Sequence, residues 1–126
     1  MSVLTQPPTM GDVLKYELNP NFTRETVTLL AGTSYPVGAV LGRITASGKY
    51  KLATSGGSDG AQNAAAVLLC ATDASAADQE AVVIVRGPAI VSKTALVFDA
   101  NVDDAAKTAT KHSQLASLGI IPCDAA

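Results

Sequence analysis

Two short runs in the middle of the chain have the length and the apolar content of β-strands. They are AVLGRIT, residues 39–45, and KYKLA, residues 49–53. Ser47-Gly48 lies between them, and the glycine supplies the positive φ that a tight hairpin turn requires. Gly42, inside the first run, indicates a bulge or a close approach of another backbone. The sequence therefore predicts a β-hairpin with an irregular first strand.

Further apolar runs of strand length extend this β pattern from residue 24 to residue 98. TVTLL (residues 26–30) precedes the hairpin, and AAAVLLCAT (64–72) and EAVVIVRG (80–87) follow it. The last two are nearly continuous in apolar residues, which is typical of strands covered on both faces. AIVS (89–92) and ALVF (95–98) complete the set. We expect one mainly β domain.

Two polar loops interrupt the predicted strands. TSGGSDGAQN, residues 54–63, is rich in glycine, but no Gly-Lys-Ser/Thr sequence follows it and one Asp is too few for a calcium shell. DASAADQ, residues 73–79, carries two Asp with Glu80 beside it, without a histidine or an aromatic wall that would shift a carboxyl pKa. We interpret both as exposed loops with solvated charges.

The C-terminal segment has the pattern of a helix from about residue 104 to residue 118. Asp103 or Asp104 can serve as the N-cap, and Gly119 stands at the C′ position that ends the helix. Lys107 and Lys111 share one face, which we expect to be in solvent. The opposite face, predicted to pack on the sheet, has Leu115 at its edge and otherwise consists of small residues and a histidine with a structural role: Ala105, Ala109, His112 and Ala116.

The first 21 residues have the character of a flexible N-terminal arm, ahead of a β-rich body at residues 22–126. Pro7-Pro8 remove two backbone donors and favour an extended conformation. Turn signals at Gly11-Asp12 and around Pro20 leave only the short run VLKYEL between them. The arm has too few apolar residues to bury itself, so we expect it to be mobile in the free protein.

Composition narrows the range of functions. The chain of 126 residues has the size of one domain, and its formal net charge of −2 with 16% charged residues lacks the basic excess of a nucleic-acid-binding protein. No apolar run approaches the roughly 20 residues of a membrane span, and the N-terminus lacks a signal-peptide pattern. We expect no direct nucleic-acid partner and no membrane. The sparse charge fits a protein that packs against a partner, and equally a core-rich monomer.

Residues that could carry chemistry are few and scattered. Arg43, Asp59, Arg86 and His112 fall in separate predicted elements with no motif that links them, so we assign no catalytic residue, metal ligand or cofactor. Two classes stay open at this point: a small enzyme subunit with its site in a barrel mouth, and a structural or adhesin-type interaction module.

The two cysteines are predicted to be unpaired and inert. Cys70 falls within the apolar run of residues 64–72, where we expect a buried thiol. A bridge between Cys70 and Cys123 is the poorer alternative for a chain without a secretion signal.

The succession of these segments resembles the head decoration proteins of tailed phages, the family of the small protein that studs the lambda capsid. The resemblance covers residues 23–122. Its segments, each common alone, share their order and spacing with the family: TRETVTLLAG, PVGAVLGRITASGKY, GSDGAQNAAAVLL, VVIVRGPAIV and LGIIP. The resemblance implies a compact small β-barrel or β-tulip-like domain with one C-terminal helix and an extended N-terminal arm.

The same resemblance implies a function. Proteins of this family sit as homotrimers on the exterior of the expanded capsid, where they hold neighbouring major capsid proteins together against internal DNA pressure. This chain would then be a structural virion protein, made in the host cytoplasm, with the major capsid protein as its partner, and not an enzyme. By position rather than by motif, the arm would contact the capsid through Val3, Leu4, Pro7, Pro8, Val13 and Tyr16.

Overall fold

The computed structural model describes residues 13–54, 56–100, 102 and 104–123. In this part of the chain the elements follow one another as β1 Leu14–Glu17, α1 Pro20–Thr23, β2 Arg24–Leu29, β3 Ser34–Tyr35, β4 Val40–Arg43, β5 Tyr50–Leu52, β6 Ala64–Leu68, β7 Thr72–Asp73, β8 Gln79–Ile84, β9 Ala89–Ser92, a 3-10 turn Lys93–Ala95, α2 Ala105–Ser117 and β10 Ile120–Cys123. This compact, mainly β domain with one C-terminal helix confirms the predicted fold class.

Five of the strands form a ring in the order β2-β5-β4-β6-β8. β2 and β8 are antiparallel along their whole length, and β4 and β5 form the predicted hairpin. The φ of Gly48 in its turn is +74°. β2 and β5, in contrast, meet in a single registered pair, Leu29 with Tyr50. The ring therefore has a seam of one residue pair and is not a continuous barrel.

Two clusters of buried side chains lie on the two faces of this ring, because successive residues of a strand point to opposite sides. The inner cluster fills the ring and includes Leu29, Tyr35, Leu41, Leu68 and Val83. The second cluster lies between the outer face of the ring, helix α2 and a further sheet, and includes Val40, Val67, Ile84, Val91, Leu115 and Ile120. Side chains of β6 belong to both clusters, which confirms that this strand is covered on both faces. β8 is covered less completely, since Val82 is 38% exposed.

The further sheet has three strands in the order β1-β9-β10, with β1 antiparallel and β10 parallel to β9. Val13, just before β1, is fully buried in the second cluster. The run VLKYEL is thus packed on the body in this structure. Residues 1–12, the greater part of the predicted arm, lie outside the described residues.

Glycine positions that were predicted from sequence have clear structural reasons. The register between β4 and β6 shifts at Leu41 and Gly42, as in a bulge. A Cβ added to Gly42 would lie 2.6 Å from the Cα of Ala61, which confirms the close backbone approach. Asp104 caps α2 by accepting from the Lys107 N–H at 2.8 Å, and Gly119 ends the helix with a φ of +86°.

The predicted face of the helix was right for Leu115 at its edge and wrong for its alanines and for Lys111. Ala105, Ala109 and Ala116 are exposed, whereas Lys111 and Leu115 are buried. The ammonium group of Lys111 donates to the carbonyl of Gln62, so the helix packs on a loop whose polar backbone accepts a cation. Burial lowers the pKa of Lys111, because desolvation disfavours its charged form.

The strand boundaries correct two further expectations and add one strand that was not predicted. β6 ends at Leu68, so Cys70 lies in the following loop and is exposed rather than buried. ALVF does not form a strand: a 3-10 turn occupies Lys93–Ala95, and Val97 makes one isolated bridge to Ala39. β10, which follows the helix, was not predicted, because a four-residue run gives too weak a periodic signal.

Candidate binding surface

An apolar row crosses the outer face of the three-stranded sheet. Tyr16 of β1 and Ile121 of β10 are both registered with Ile90 of β9, so the three side chains are neighbours on one face. Tyr16 is 49% and Ile121 42% exposed. The residues next to them along the strands, such as Val91 and Ile120, point to the core and are fully buried. Tyr16, Ile90 and Ile121 therefore form a row of uncharged side chains on this face of the sheet.

Exposed apolar residues continue beyond this row at the end of the same sheet. Leu18 is 58% exposed and its N–H donates to the carbonyl of Pro88 at 3.0 Å. Leu118 is 37% exposed and its carbonyl accepts from the N–H of Gly87. Contiguous apolar exposure of this kind is typical of a surface that binds another protein.

A partly buried ionic contact holds β1 against the body. Glu17, whose side chain is 9% exposed, accepts from the hydroxyl of Thr23 at 2.6 Å and from Nε of Arg24 at 2.9 Å. Burial opposes ionisation of this carboxyl, but the hydrogen bonds from Arg24 and Thr23 outweigh it and hold the pKa of Glu17 below its ordinary value. The contact fixes the strand that follows the arm.

Of the six residues proposed from sequence to contact a partner, the structure describes two. Tyr16 lies in the exposed apolar row. Val13 is fully buried in the core, so in this structure its side chain is not available to a partner. Val3, Leu4 and Pro7-Pro8 lie outside the described residues. The predicted contact by these residues stays a prediction.

Three of the four scattered polar residues named from the sequence have partners in different parts of the fold. Asp59 pairs with Lys51 at 2.8 Å, and Arg86 pairs with Glu25 at 3.0 Å while its guanidinium lies over the ring of Phe22. His112 packs against Phe98, with 5.8 Å between ring centroids. These contacts tie the side chains to different parts of the fold.

A cavity of about 300 Å³ opens at the seam of the ring, between the chain segments that follow β2 and β5. It is lined by Leu30, Ala31, Gly32, Thr33, Tyr35, Lys51, Leu52, Thr54 and Asp99. Lys51 is already paired with Asp59, and the hydroxyl of Tyr35 donates to the carbonyl of Leu30 at 2.8 Å. Across the described ranges, no three His, Cys, Asp or Glu side chains are grouped to hold a metal ion. No helix in those ranges is long and apolar enough to cross a membrane.

Comparison with known protein families shows to which family the chain belongs. The family described as bacteriophage lambda head decoration protein D matches residues 3–120. The chain belongs to this family. The match spans both the described body and most of the arm, and it confirms the resemblance noted in the sequence. No curated protein gives a significant match.

Membership in the head decoration family makes the chain a structural phage protein of the virion capsid, and the family is not one of enzymes. The apolar row was not found from sequence, because its members lie in three distant segments. Only the pairing of β1, β9 and β10 brings Tyr16, Ile90 and Ile121 together.

Proposed function

We propose that this protein binds the outer surface of the expanded phage head as a homotrimer, contacts the major capsid protein there, and stabilises the shell against internal DNA pressure. The observation that carries this proposal is the family match over residues 3–120. The protein acts after synthesis in the host cytoplasm, without a cofactor and without direct contact with nucleic acid.

The apolar row supports a capsid contact beside the arm. The arm enters the body at β1, and Tyr16 of β1 belongs to the row. An arm that orders on the shell and a row that packs against it would form one continuous surface. Three such surfaces on one trimer act as linked modules, so each contact after the first is effectively intramolecular.

The arm contributes backbone hydrogen bonds and small side chains in this proposal. Val3 and Leu4 are suited to fill side pockets, while Pro7-Pro8 keep the chain extended. Fixing each residue costs about 1–2 kcal/mol of conformational entropy, so the partner rather than the free protein orders the arm. Because β1 is part of the packed body, we place the boundary of the arm at residue 12.

Binding to purified, expanded, empty heads tests the proposal. Wild-type protein should sediment with the heads and saturate, and Tyr16→Asp with Ile121→Asp should bind at least tenfold more weakly. Ala76→Asp, on an exposed loop, adds the same type of charge elsewhere and should bind like wild type. Deletion of residues 2–12 should weaken binding at least tenfold without unfolding the body. A wild-type protein that leaves expanded heads undecorated would refute the proposal.

A further inference from the structure

One edge of β2 has no neighbouring strand between Arg24 and Thr28 in the part of the chain that the structure describes. β8 pairs with the other edge of β2 from Arg24 to Leu29. β5 reaches the open edge only at Leu29. The Arg24 N–H donates to the carbonyl of Pro20, so the part of this edge that stays available is centred on Thr26.

The register of the ladders shows which backbone groups face this open edge. Val82 is opposite Thr26, and the carbonyl of Val82 accepts from the Leu69 N–H on the β6 side. In an antiparallel pair, residues alternate between bonding across the pair and bonding away from it. The N–H and carbonyl of Thr26 thus point away from β8, as does the Leu30 N–H that donates to Tyr50. Thr26 presents a donor and an acceptor to a further strand.

The side chains along this edge have the composition of a paired strand. The segment RETVTL is rich in β-branched residues, Thr26 is exposed, and Val82 beside it is 38% exposed. Soluble proteins protect open edges with proline, lysine or bulges. None of these occurs within β2, and its two charged residues, Arg24 and Glu25, are engaged with Glu17 and Arg86. An edge of this kind is suited to strand addition.

Charge indicates what the added strand carries. Glu80 is registered with Thr28, is exposed, and makes no salt bridge within the described ranges. A strand laid beside Thr26 and Thr28 therefore gains from a basic side chain near Glu80. β1 of another copy has the required features: it is an edge strand of four residues, LKYE, with Lys15 exposed.

We propose that the open edge of β2 is the subunit interface, occupied by β1 of a neighbouring copy with Lys15 near Glu80. The proposal rests on the proposed homotrimer and names the surface that forms it. The two surfaces in contact are different, so the contact is heterologous and can close into a ring of three copies. The outer apolar row lies on the face of β1 rather than on its edge, so it stays available to the capsid.

Charge exchange tests the pairing directly, because Lys15 and Glu80 are both exposed. Glu80→Lys alone and Lys15→Glu alone should each raise the trimer dissociation constant at least tenfold in sedimentation equilibrium. The double variant, which restores opposite charges, should return it to within about threefold of wild type. Two single variants that trimerise like wild type, or a double variant no better than the singles, would overturn the assignment.

Backbone substitution tests the edge itself. Thr26→Pro removes the N–H that faces the edge and places a ring there, and should abolish the trimer, whereas Thr26→Val keeps the backbone groups and should trimerise normally. Hydrogen exchange on the wild-type protein gives the same test without a substitution. The Thr26 amide should be protected in the trimer and exchange rapidly after dilution to monomer.

The outcomes separate this inference from the proposed function. A Thr26 amide that exchanges rapidly in an intact trimer would overturn the inference alone. Protection that arises only on heads would assign the edge to the capsid and also overturn it. A chain that is monomeric at every concentration would overturn the homotrimer and the interface together, while decoration itself would still be decided by head binding.

Discussion

Adding one methyl group at Gly42, a buried position in β4, should destabilise the body more than the same addition at a glycine in an exposed loop. The new Cβ would lie 2.6 Å from the Cα and 2.7 Å from the carbonyl carbon of Ala61. The carbonyl oxygen of Ala61 would be closer still. Ordinary contacts begin at 3.4 Å, so the two backbones must separate by more than about 0.8 Å. Because the obstacle is backbone, no side-chain rotation relieves it. Overpacking of this kind costs up to about 3 kcal/mol.

Thermal unfolding followed by circular dichroism measures this effect. At about 4 °C per kcal/mol for a domain of this size, Gly42→Ala should melt about 12 °C below wild type. Equal protein concentrations are needed, because the melting temperature of an oligomer depends on concentration. Gly56→Ala is the matched control, since a Cβ there has nothing within 4 Å, and its unfolding free energy should change by less than about 0.5 kcal/mol. A Gly42→Ala protein that melts within about 2 °C of wild type would refute the close-packing argument.

Three further predictions concern charged and sulfur-containing side chains. Glu17→Gln should lower stability at pH 7 by about 2 kcal/mol. The difference in unfolding free energy between this variant and wild type should shrink as pH falls below about 4.5. A carboxyl whose pKa is lowered in the folded state contributes stability that is lost when it is protonated. A difference that does not change with pH would contradict the ionic contact. In urea, the unfolding free energy of Lys111→Met should lie within about 1 kcal/mol of the wild-type value, and that of Lys111→Ala about 2 kcal/mol below it. The reason is that the buried aliphatic stem of Lys111, rather than its charge, supplies stability. If Lys111→Met were the less stable of the two variants, the charge would matter more. Cys70→Ala with Cys123→Ser should shift the melting temperature by less than about 2 °C, since Cys70 is exposed; a larger loss would give the thiols a structural role.

The features predictable from sequence are those decided within a few residues. The hairpin around Gly48, the N-cap at Asp104 and the C′ glycine at Gly119 depend on local backbone conformation, and each is where the sequence placed it. The irregularity at Gly42 was also predicted, although its cause, the passage of Ala61, is a tertiary contact. Local preference and the final fold agree at these positions.

The features that could not be predicted depend on pairing between distant segments. β1 is too short to stand out as a strand, and its place is decided by pairing with β9 more than seventy residues later, as in Tyr16 with Ile90. The prediction of the helix face assumed that a lysine lies in solvent because its side chain is charged. Lys111 is buried instead, because its ammonium group donates to the carbonyl of Gln62. The apolar row and the open edge of β2 depend on the same long-range register, so neither has a sequence signature.

Imaging decorated heads by cryo-electron microscopy tests the central claim most directly. The account predicts three-lobed density for this protein at the threefold positions on the outside of expanded heads, with Tyr16 and Ile121 toward the shell and no such density on unexpanded heads. Expanded heads that carry no added density at saturating protein, or density confined to the tail or the interior, would contradict it.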